Sequence, residues 1–328
     1  MKCINKWICL SLLIAVSCVN GCGKTSAVIE QPYDVYATAA DFGLSSNGSA
    51  EAKSYFASDL CVSEDVAIGT DSTDSQVAEG AGTFNLETNT VVYAKNLYER
   101  LYPASTTKIL TAYIALKYCD DLDAMVTVSE NAVNQASDSS VCNLKAGDVI
   151  RLRDLLYGLM LRSGNDAAVA IAEYISGDVD SFAALMNQEA AAMGATRSHF
   201  VNPNGLPDEN HYTCVYDMYL IFSNAVKNDT FVSIIGTTSY DVTYTDASGE
   251  AVTHTWENTN QYLTGNATTP DGFQIVGGKT GTTGEAGYCL VLYSYNPPGQ
   301  PIISIVFKAD GKSNLYLLMN EMLQGFAI

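Results

Sequence analysis

Ser105 and Lys108 stand three residues apart in "YPASTTKIL", residues 102–110. On a helical turn that spacing puts both side chains on one face, within reach of each other. A serine hydroxyl is a weak nucleophile until a base takes its proton. A lysine can be that base when burial or a nearby positive charge disfavours its charged form. A helix N-terminus would also favour negative charge developing on the serine. The competing reading makes Ser105 a helix cap beside a solvated lysine, although a capping box would place Glu or Gln, not Lys, at the third position.

Two further stretches carry polar residues of catalytic type. In "LMLRSGNDAAVAIA", Ser163 and Asn165 fall at a turn between two helical patterns. Taken alone, this is also how a cap looks, with Asn165 or Asp166 closing the second helix. In "IVGGKTGTTGEAGYCLVLYS", Lys279, Thr280 and Thr282 follow two glycines and precede a strand pattern. A phosphate loop is ruled out by spacing, because the first glycine of G-x-x-x-x-G-K-[ST] would fall on Phe273, and by context, because a helix should follow. A Gly-rich hairpin is the bland alternative. His199, His211 and His254 have no metal-ligand spacing, and there is no C-x-x-C pair and no G-x-S-x-G elbow.

S-x-x-K, S-x-N and K-T-G, in that order, form the signature of penicillin-binding proteins and class A β-lactamases. Longer blocks extend it: "YAKNLYERLYPASTTKILTAYIAL", "GLMLRSGNDAAVAIAEYISG", "FAALMNQEAAAMGATRSHFVNPNGL", "ENTNQYL" and "GGKTGTTGEAGYCLV". Through them the chain resembles the serine-type D-alanyl-D-alanine carboxypeptidases, the low-molecular-mass penicillin-binding proteins, from about residue 62 to 326. The resemblance implies that Ser105 is the acylated nucleophile, Lys108 its general base and Ser163 a proton relay toward the leaving amine. Asn165 would bind the substrate amide and help place Lys108. Lys279, with Thr280 assisting, would meet the substrate's terminal carboxylate. The backbone N–H groups of Ser105 and Thr282 would form an oxyanion hole. The substrate, a peptidoglycan stem peptide, would lie along the Lys279 strand as an added strand. β-Lactam antibiotics would acylate the same serine; no cofactor and no metal are implied. The chain departs from the family pattern at Gly284, where Asp often follows K-T-G-x-T, and at Cys214, where a small residue is usual. Lys308 and Lys312 stand where an arginine often leads into the last helix.

Rival activities on the same scaffold are a D,D-endopeptidase and a β-lactamase. The latter would add a Glu-x-x-x-Asn loop between the second and third motifs; "EYISG" and "EAAAM" lack the Asn and sit inside helical patterns. A catalytically idle wall-binding protein is the alternative from another class, and the intact motifs speak against it.

These residues need elements to hold them. "GTFNLETNTVVYAKN" reads as two strands about an N-L-E-T-N turn, and "VAIGTD" as a strand before them. Pro103 sets the first turn of a helix over "STTKILTAYIALKY". "LRDLLYGLMLR", "AAVAIAEYI", "DVDSFAALMNQEAAAMG", with Ser181 at its cap, and "CVYDMYLIFSNAV" read as helices. "SYDVTYTDASGEAVTHTW" is a hairpin pattern, "GYCLVLYSYN" and "PIISIVFKAD" are strands, and "SNLYLLMNEMLQGF" is a closing helix. Strands come from both ends of the chain with helices between. The expected fold is therefore α/β, penicillin-binding-protein/β-lactamase-like by resemblance, an antiparallel sheet flanked by helices plus an inserted all-helical subdomain.

The chain has 328 residues and a formal net charge of −19. That balance excludes a nucleic-acid partner, which would call for a basic patch. Lys2 and Lys6 precede "WICLSLLIAVSCV", an apolar run short for a membrane span and suited to an export signal. "AVSC" and "VNGC" resemble the bacterial lipoprotein signal, in which a lipidated cysteine, Cys22 in preference to Cys18, becomes the new N-terminus. An ordinary cleaved signal with incidental cysteines is the alternative. The organisation expected is a signal segment at 1–22, a Ser-, Ala- and Gly-rich tether at 23–60 and a catalytic domain at 61–328. The protein is then exported and held on the outer face of the cell membrane by an N-terminal lipid. That lipid would substitute for the C-terminal membrane helix that many such enzymes carry and "LQGFAI" does not offer. Cys61, Cys119, Cys142, Cys214 and Cys289 read as free thiols, with a Cys119–Cys142 disulfide as the alternative.

Overall fold

A computed structural model of the chain describes residues 57–328; the stretches expected to be a signal segment (1–22) and, as far as residue 56, a tether lie outside the described residues. Strands β1 (Ala78–Asn85) and β2 (Thr90–Lys95) form the expected hairpin, its turn held by Asn85 Oδ1 accepting from Glu87 N and Thr88 N. Pro103 leads into a 3₁₀ turn, Ala104–Thr107, which runs directly into helix α1 (Lys108–Tyr118). Strand β3 (Met125–Thr127), the one-turn helix α2 (Glu130–Val133) and strand β4 (Val149–Arg151) follow. Helix α3 (Leu152–Tyr157) passes into a π-helical turn, Gly158–Arg162, that stops at Ser163. Helices α4 (Asn165–Ser176), α5 (Val179–Ala192), α6 (Val215–Ala225) and α7 (Asp229–Ile235) come next. The chain closes with β5 (Ser239–Thr245), β6 (Ala251–Glu257), β7 (Gln274–Thr283), β8 (Gly287–Tyr295), β9 (Pro301–Ala309) and helix α8 (Lys312–Phe326).

The main sheet is antiparallel with strand order β2-β1-β9-β8-β7, so the first and last strands among the described residues meet at the β1–β9 pair. Two of its central strands, β8 and β9, read as largely apolar runs because both faces are covered. Along β8, Cys289, Val291 and Tyr293 enter the larger core, and Leu290 and Leu292 the smaller one under α8. Alternation of side chains across the pleat makes this split. On the α8 side the sheet meets Leu315, Leu318, Met319, Met322 and Leu323. On the other side α6 packs, with Tyr219 stacked on Phe84 at a centroid distance of 4.1 Å. Each fully buried side chain of this kind contributes about 1.5–3 kcal/mol. Helix α1 is buried almost all round, and Ile109, Leu110, Ala112, Ile114 and Ala115 are all inaccessible. Such a helix is a fixed post between the sheet and the other helices, which is what a nucleophile's carrier needs.

The structure departs from the sequence reading in four places. The inserted region is not all helical: β3, β4, β5 and β6 form a second antiparallel sheet. The first two of these strands have only three residues each, too short for a period-2 pattern to be seen. "VAIGTD" is not a strand; only Ile68 makes a bridge, to Ala94, before Gly69 turns the chain at φ 77. A Cβ on Gly69 would lie 2.4 Å from the Phe326 ring, so glycine is what lets this turn pack under α8. The cap of α5 is Asp178, whose carboxylate accepts from both Ser181 N at 2.7 Å and Ser181 Oγ at 2.8 Å. The α-helix that carries Lys108 begins at that residue and not at Ser105. All five described cysteines are free, Cys119 partly exposed and the others buried.

Candidate active site

The 3₁₀ turn Ala104–Thr107 presents Ser105, and Lys108 opens α1 immediately after it. The turn is entered through Ala104 at φ 46, a left-handed conformation that costs a non-glycine residue on the order of 1 kcal/mol. It is braced from the facing loop. Gly205 approaches so closely that a Cβ there would sit 1.8 Å from the Ala104 carbonyl oxygen. Lys108 is fully buried, with its Nζ 3.0 Å from Ser105 Oγ. The same Nζ donates to Asn165 Oδ1 and to the Asn204 carbonyl, each at 2.7 Å. A neutral amine has two hydrogens and one lone pair. With both hydrogens engaged by these acceptors, the lone pair is left for the serine proton.

Ser163 and Asn165 come from the junction where the π-helical turn ends and α4 starts. Ser163 is left-handed, φ 61, which re-aims its hydroxyl at the break between the two helical segments. Asn165 does not cap α4; it is the helix's first residue and its oxygen holds Lys108. Asp166 anchors the wall behind it, accepting from Cys142 N at 2.9 Å and Leu144 N at 3.1 Å. The third motif lies on β7, the edge strand of the main sheet. Lys279, 1% exposed, donates to Ser163 Oγ at 3.0 Å and to the Thr280 carbonyl at 2.9 Å. Thr280 Oγ1 lies 2.6 Å from Thr259 Oγ1. Gly281 lets β7 pass hard against the nucleophile's turn: a Cβ there would lie 3.0 Å from Ser105 N. The backbones of Ser105 and Thr282 therefore border the same space.

Burial holds Lys108 well below the ordinary lysine range, and the Lys279 charge pushes in the same direction. The sequence reading names both causes in general terms; that burial is the larger, and that the charge is that of Lys279, needs the fold. Burial alone brings Lys279 down to about 7. The ordering is self-consistent, since a Lys108 that has already lost its proton no longer repels Lys279. His211, enclosed at 1% exposure, is pushed down to about 4 by burial. Its Nδ1 accepts from Val201 N, so its Nε2 carries the hydrogen and donates to Thr107 Oγ1 at 2.9 Å, bracing the Ser105 turn from behind.

The cleft over Ser105 has two halves. One, a cavity of about 210 Å³, is bordered by Ser163, Thr259, Thr280, Thr282 and Lys312. The other, about 360 Å³, is bordered by Asn165, Asn204, Leu206, Asp138 and Glu285. The seven residues singled out in the sequence thus converge from three distant segments on one cleft. Sequence reasoning missed Asn204, which acts through its backbone carbonyl. The only signal was the turn-forming "NPNG", where Asn202 Oδ1 accepts from Gly205 N and Asn204 Oδ1 from Leu206 N. Thr259 and His211 were missed as well. Of the two lysines before the last helix, Lys312 borders the cleft and Lys308 instead pairs with Glu79 at 2.7 Å.

The pattern of the D-alanyl-D-alanine carboxypeptidase family matches residues 69–311. D-alanyl-D-alanine carboxypeptidase DacF of Bacillus subtilis is 34% identical over 251 residues, 75% of this chain and 61% of that one. The D-alanyl-D-alanine carboxypeptidase of Streptomyces sp. strain K15 is 34% identical over 265 residues, 76% of this chain and 88% of that one. This chain therefore spans about three-fifths of the Bacillus relative's length and most of the Streptomyces one. The crystal structure of the Streptomyces K15 DD-transpeptidase superimposes with a TM-score of 0.68 at 33% identity, covering 74% of this chain and 96% of that one. D-alanyl-D-alanine carboxypeptidase DacD from Francisella tularensis gives 0.67 at 28% identity, covering 81% and 72%. Three motifs on one cleft, a fold shared with solved DD-peptidases and a family pattern running through most of the described residues agree: the chain belongs to the D-alanyl-D-alanine carboxypeptidase family.

Proposed function

We propose that this protein is a serine D-Ala-D-Ala carboxypeptidase that trims peptidoglycan stem peptides through an acyl-enzyme. Neutral Lys108 takes the Ser105 proton as Ser105 Oγ attacks the carbonyl of the penultimate D-alanine. The oxyanion forms against the N–H groups of Ser105 and Thr282, where each donor is worth roughly 3–4 kcal/mol in the transition state. Lys279, Thr280 and Thr282 hold the terminal carboxylate, and Asn165 the substrate amide. Ser163, bonded to Lys279, passes a proton to the departing D-alanine amine, and water then releases the shortened peptide. A β-lactam acylates Ser105 by the same attack and keeps its leaving group tethered. The observation that supports this reading is the buried Lys108, 3.0 Å from Ser105 Oγ with two acceptors taking its hydrogens.

The test is incubation with a pentapeptide ending in D-Ala-D-Ala. Release of free D-alanine by the wild type, lost in Ser105→Ala, supports the reading; no release, or release unaffected by the substitution, refutes it. A long-lived penicillin adduct mapped to Ser105 separates it from a β-lactamase, which would turn the drug over, and from an idle binding protein, which would form none.

A second reading is transpeptidation. The Streptomyces K15 relative bears both names, carboxypeptidase and DD-transpeptidase. An acyl-enzyme open to water is also open to an amine, so the two activities differ in what reaches the ester. Adding an amine acceptor and measuring transfer product against hydrolysis product decides their balance.

Export and anchoring complete the proposal: a signal at 1–22, a tether at 23–60, the catalytic domain at 61–328, and a lipid on Cys22 or Cys18. No helix among the described residues is long and apolar enough to cross a membrane. Detergent-phase partitioning of the mature protein, lost in one of Cys22→Ala or Cys18→Ala, supports the anchor; partitioning into water by the wild type removes it.

A further inference from the structure

Two segments meet at the Lys108 amine. One is the turn that presents Ser105 and ends at Thr107, the residue before Lys108. The other is the loop 201–206, whose Asn204 carbonyl accepts from Lys108 Nζ at 2.7 Å. One turn further along α1, Thr111 Oγ1 donates to the Pro203 carbonyl at 2.7 Å and joins the loop to the helix. A second tie runs through His211. Its Nδ1 accepts from Val201 N at 3.1 Å, where the loop starts, and its Nε2 donates to Thr107 Oγ1 at 2.9 Å, where the turn ends. The segments also touch directly, since a Cβ on Gly205 would sit 2.9 Å from Thr107 Oγ1. A shift of one is therefore felt by the other. His211 itself borders neither half of the cleft, so it acts only through the groups it holds.

Only the neutral ring can make both bonds. Nδ1 needs its lone pair to accept, and Nε2 needs its hydrogen to donate. A cationic ring would turn an N–H toward the Val201 N–H and break the tie. Enclosure at 1% exposure keeps the ring neutral. Among the charged groups around it, Asp208 favours the cation, while His199 and Lys108 oppose it. Phe200 stands edge to face with the ring at a centroid distance of 5.5 Å and brings no charge.

We propose that His211 is a positioning residue for acylation: as a neutral bridge between Thr107 and Val201, it sets where the Ser105 turn and the Asn204 carbonyl meet the Lys108 amine. This rests on the acyl-enzyme reading above. The first consequence is alignment. If the Asn204 carbonyl shifts, the Lys108 amine turns with it and its lone pair leaves the Ser105 hydroxyl. A misplacement of about 1 Å in such an arrangement costs up to about a hundredfold in rate. The second consequence is enclosure. The Asn204 loop helps to keep water from Lys108, so loosening it raises the proton affinity of that amine toward the ordinary lysine value. Lys279, Asp166 and Cys142 also act on the amine, and none of them belongs to the two segments that His211 joins.

The test follows penicillin acylation by stopped flow across a range of pH, separating the dissociation constant of the first complex from the rate constant of the covalent step. His211→Leu fills the space and keeps neither bond. Its rate constant should fall about tenfold or more with the dissociation constant unchanged, and its acid limb should move upward. His211→Asn keeps an acceptor for Val201 N, and His211→Gln keeps a donor for Thr107. Each should fall between wild type and leucine, and the two decide the matter if the leucine variant does not fold. Thr107→Val cuts the same tie from its other end and should behave as His211→Asn does. If only the amount of folded protein falls, while the folded fraction keeps the wild-type rate constant and limb, the role is merely structural and the proposal is overturned. A weaker first complex with an unchanged rate constant overturns it as well. Absence of any adduct in the wild type would instead overturn the acyl-enzyme reading, and this proposal with it.

Discussion

Lys279→Met should make the protein more stable at neutral pH while it abolishes acylation. Bringing a lysine from 10.5 down to about 7 means that the fold withholds on the order of 5 kcal/mol from the charged form. Methionine fills a similar volume and carries no charge to desolvate. Against this gain, the substitution leaves Ser163 Oγ and the Thr280 carbonyl without the Lys279 donor, at about 1–3 kcal/mol. The net is about 2 kcal/mol in favour of the variant at pH 7, or a melting temperature about 5 °C higher for a domain of this size. The sign has a pH signature. Below pH 7 the folded and unfolded chains both carry the proton and the wild type bears the full penalty. Between about 7 and 10.5 the unfolded chain binds more protons than the folded one, so wild-type stability rises with pH and the variant's advantage shrinks. Near pH 10.5 only the lost hydrogen bonds remain and the order reverses. Calorimetric melts of both proteins from pH 6 to 10 measure this, and mass spectrometry after penicillin exposure reads acylation. A variant less stable at pH 7 by an amount that does not change with pH would refute the reasoning, since burial of the charge would then not be what lowers Lys279.

Further outcomes follow from the same geometry. Lys108→Ala should leave the fold intact and prevent the penicillin adduct on Ser105, read by circular dichroism and intact mass; an adduct at the wild-type rate would remove Lys108 as base. Because burial and the Lys279 charge hold Lys108 well below 10.5, the acylation rate should fall with decreasing pH along a limb far below the ordinary lysine range. A limb centred near 10.5 in the stopped-flow rate profile would contradict that. Gly205→Ala should cost more than about 3 kcal/mol and disable the site, because φ is +86 and the new Cβ would meet the Ala104 carbonyl at 1.8 Å. A chemical-denaturation midpoint equal to wild type would show that the loop yields more easily than its packing implies.

How much of this was legible varies by the kind of information involved. Ser105 and Lys108 were readable because one helical turn brings residues three apart together whatever surrounds them. β8 and β9 were readable because a strand covered on both faces must be apolar throughout. Asn204 was not, since a carbonyl oxygen belongs to every residue and only the fold selects one. The short β3 and β4 escaped because three residues cannot display a period. Gly69 ended the expected first strand through its contact with Phe326, more than 250 positions away in the chain. Such a contact leaves no local trace.

The chain by itself determined the reactive types, their order and the family, because S-x-x-K, S-x-N and K-T-G are spelled in side chains and short spacings. What only the tertiary structure decided is the state of those side chains. Lysine is a residue that sequence alone places in water, as an exposed cation. Enclosure of Lys108 beneath Asn165 and Asn204, and of Lys279 beside Ser163, turns two cations into groups that give up their protons readily. Desolvation depends on every atom packed around the amine, and those atoms come from segments about a hundred residues apart.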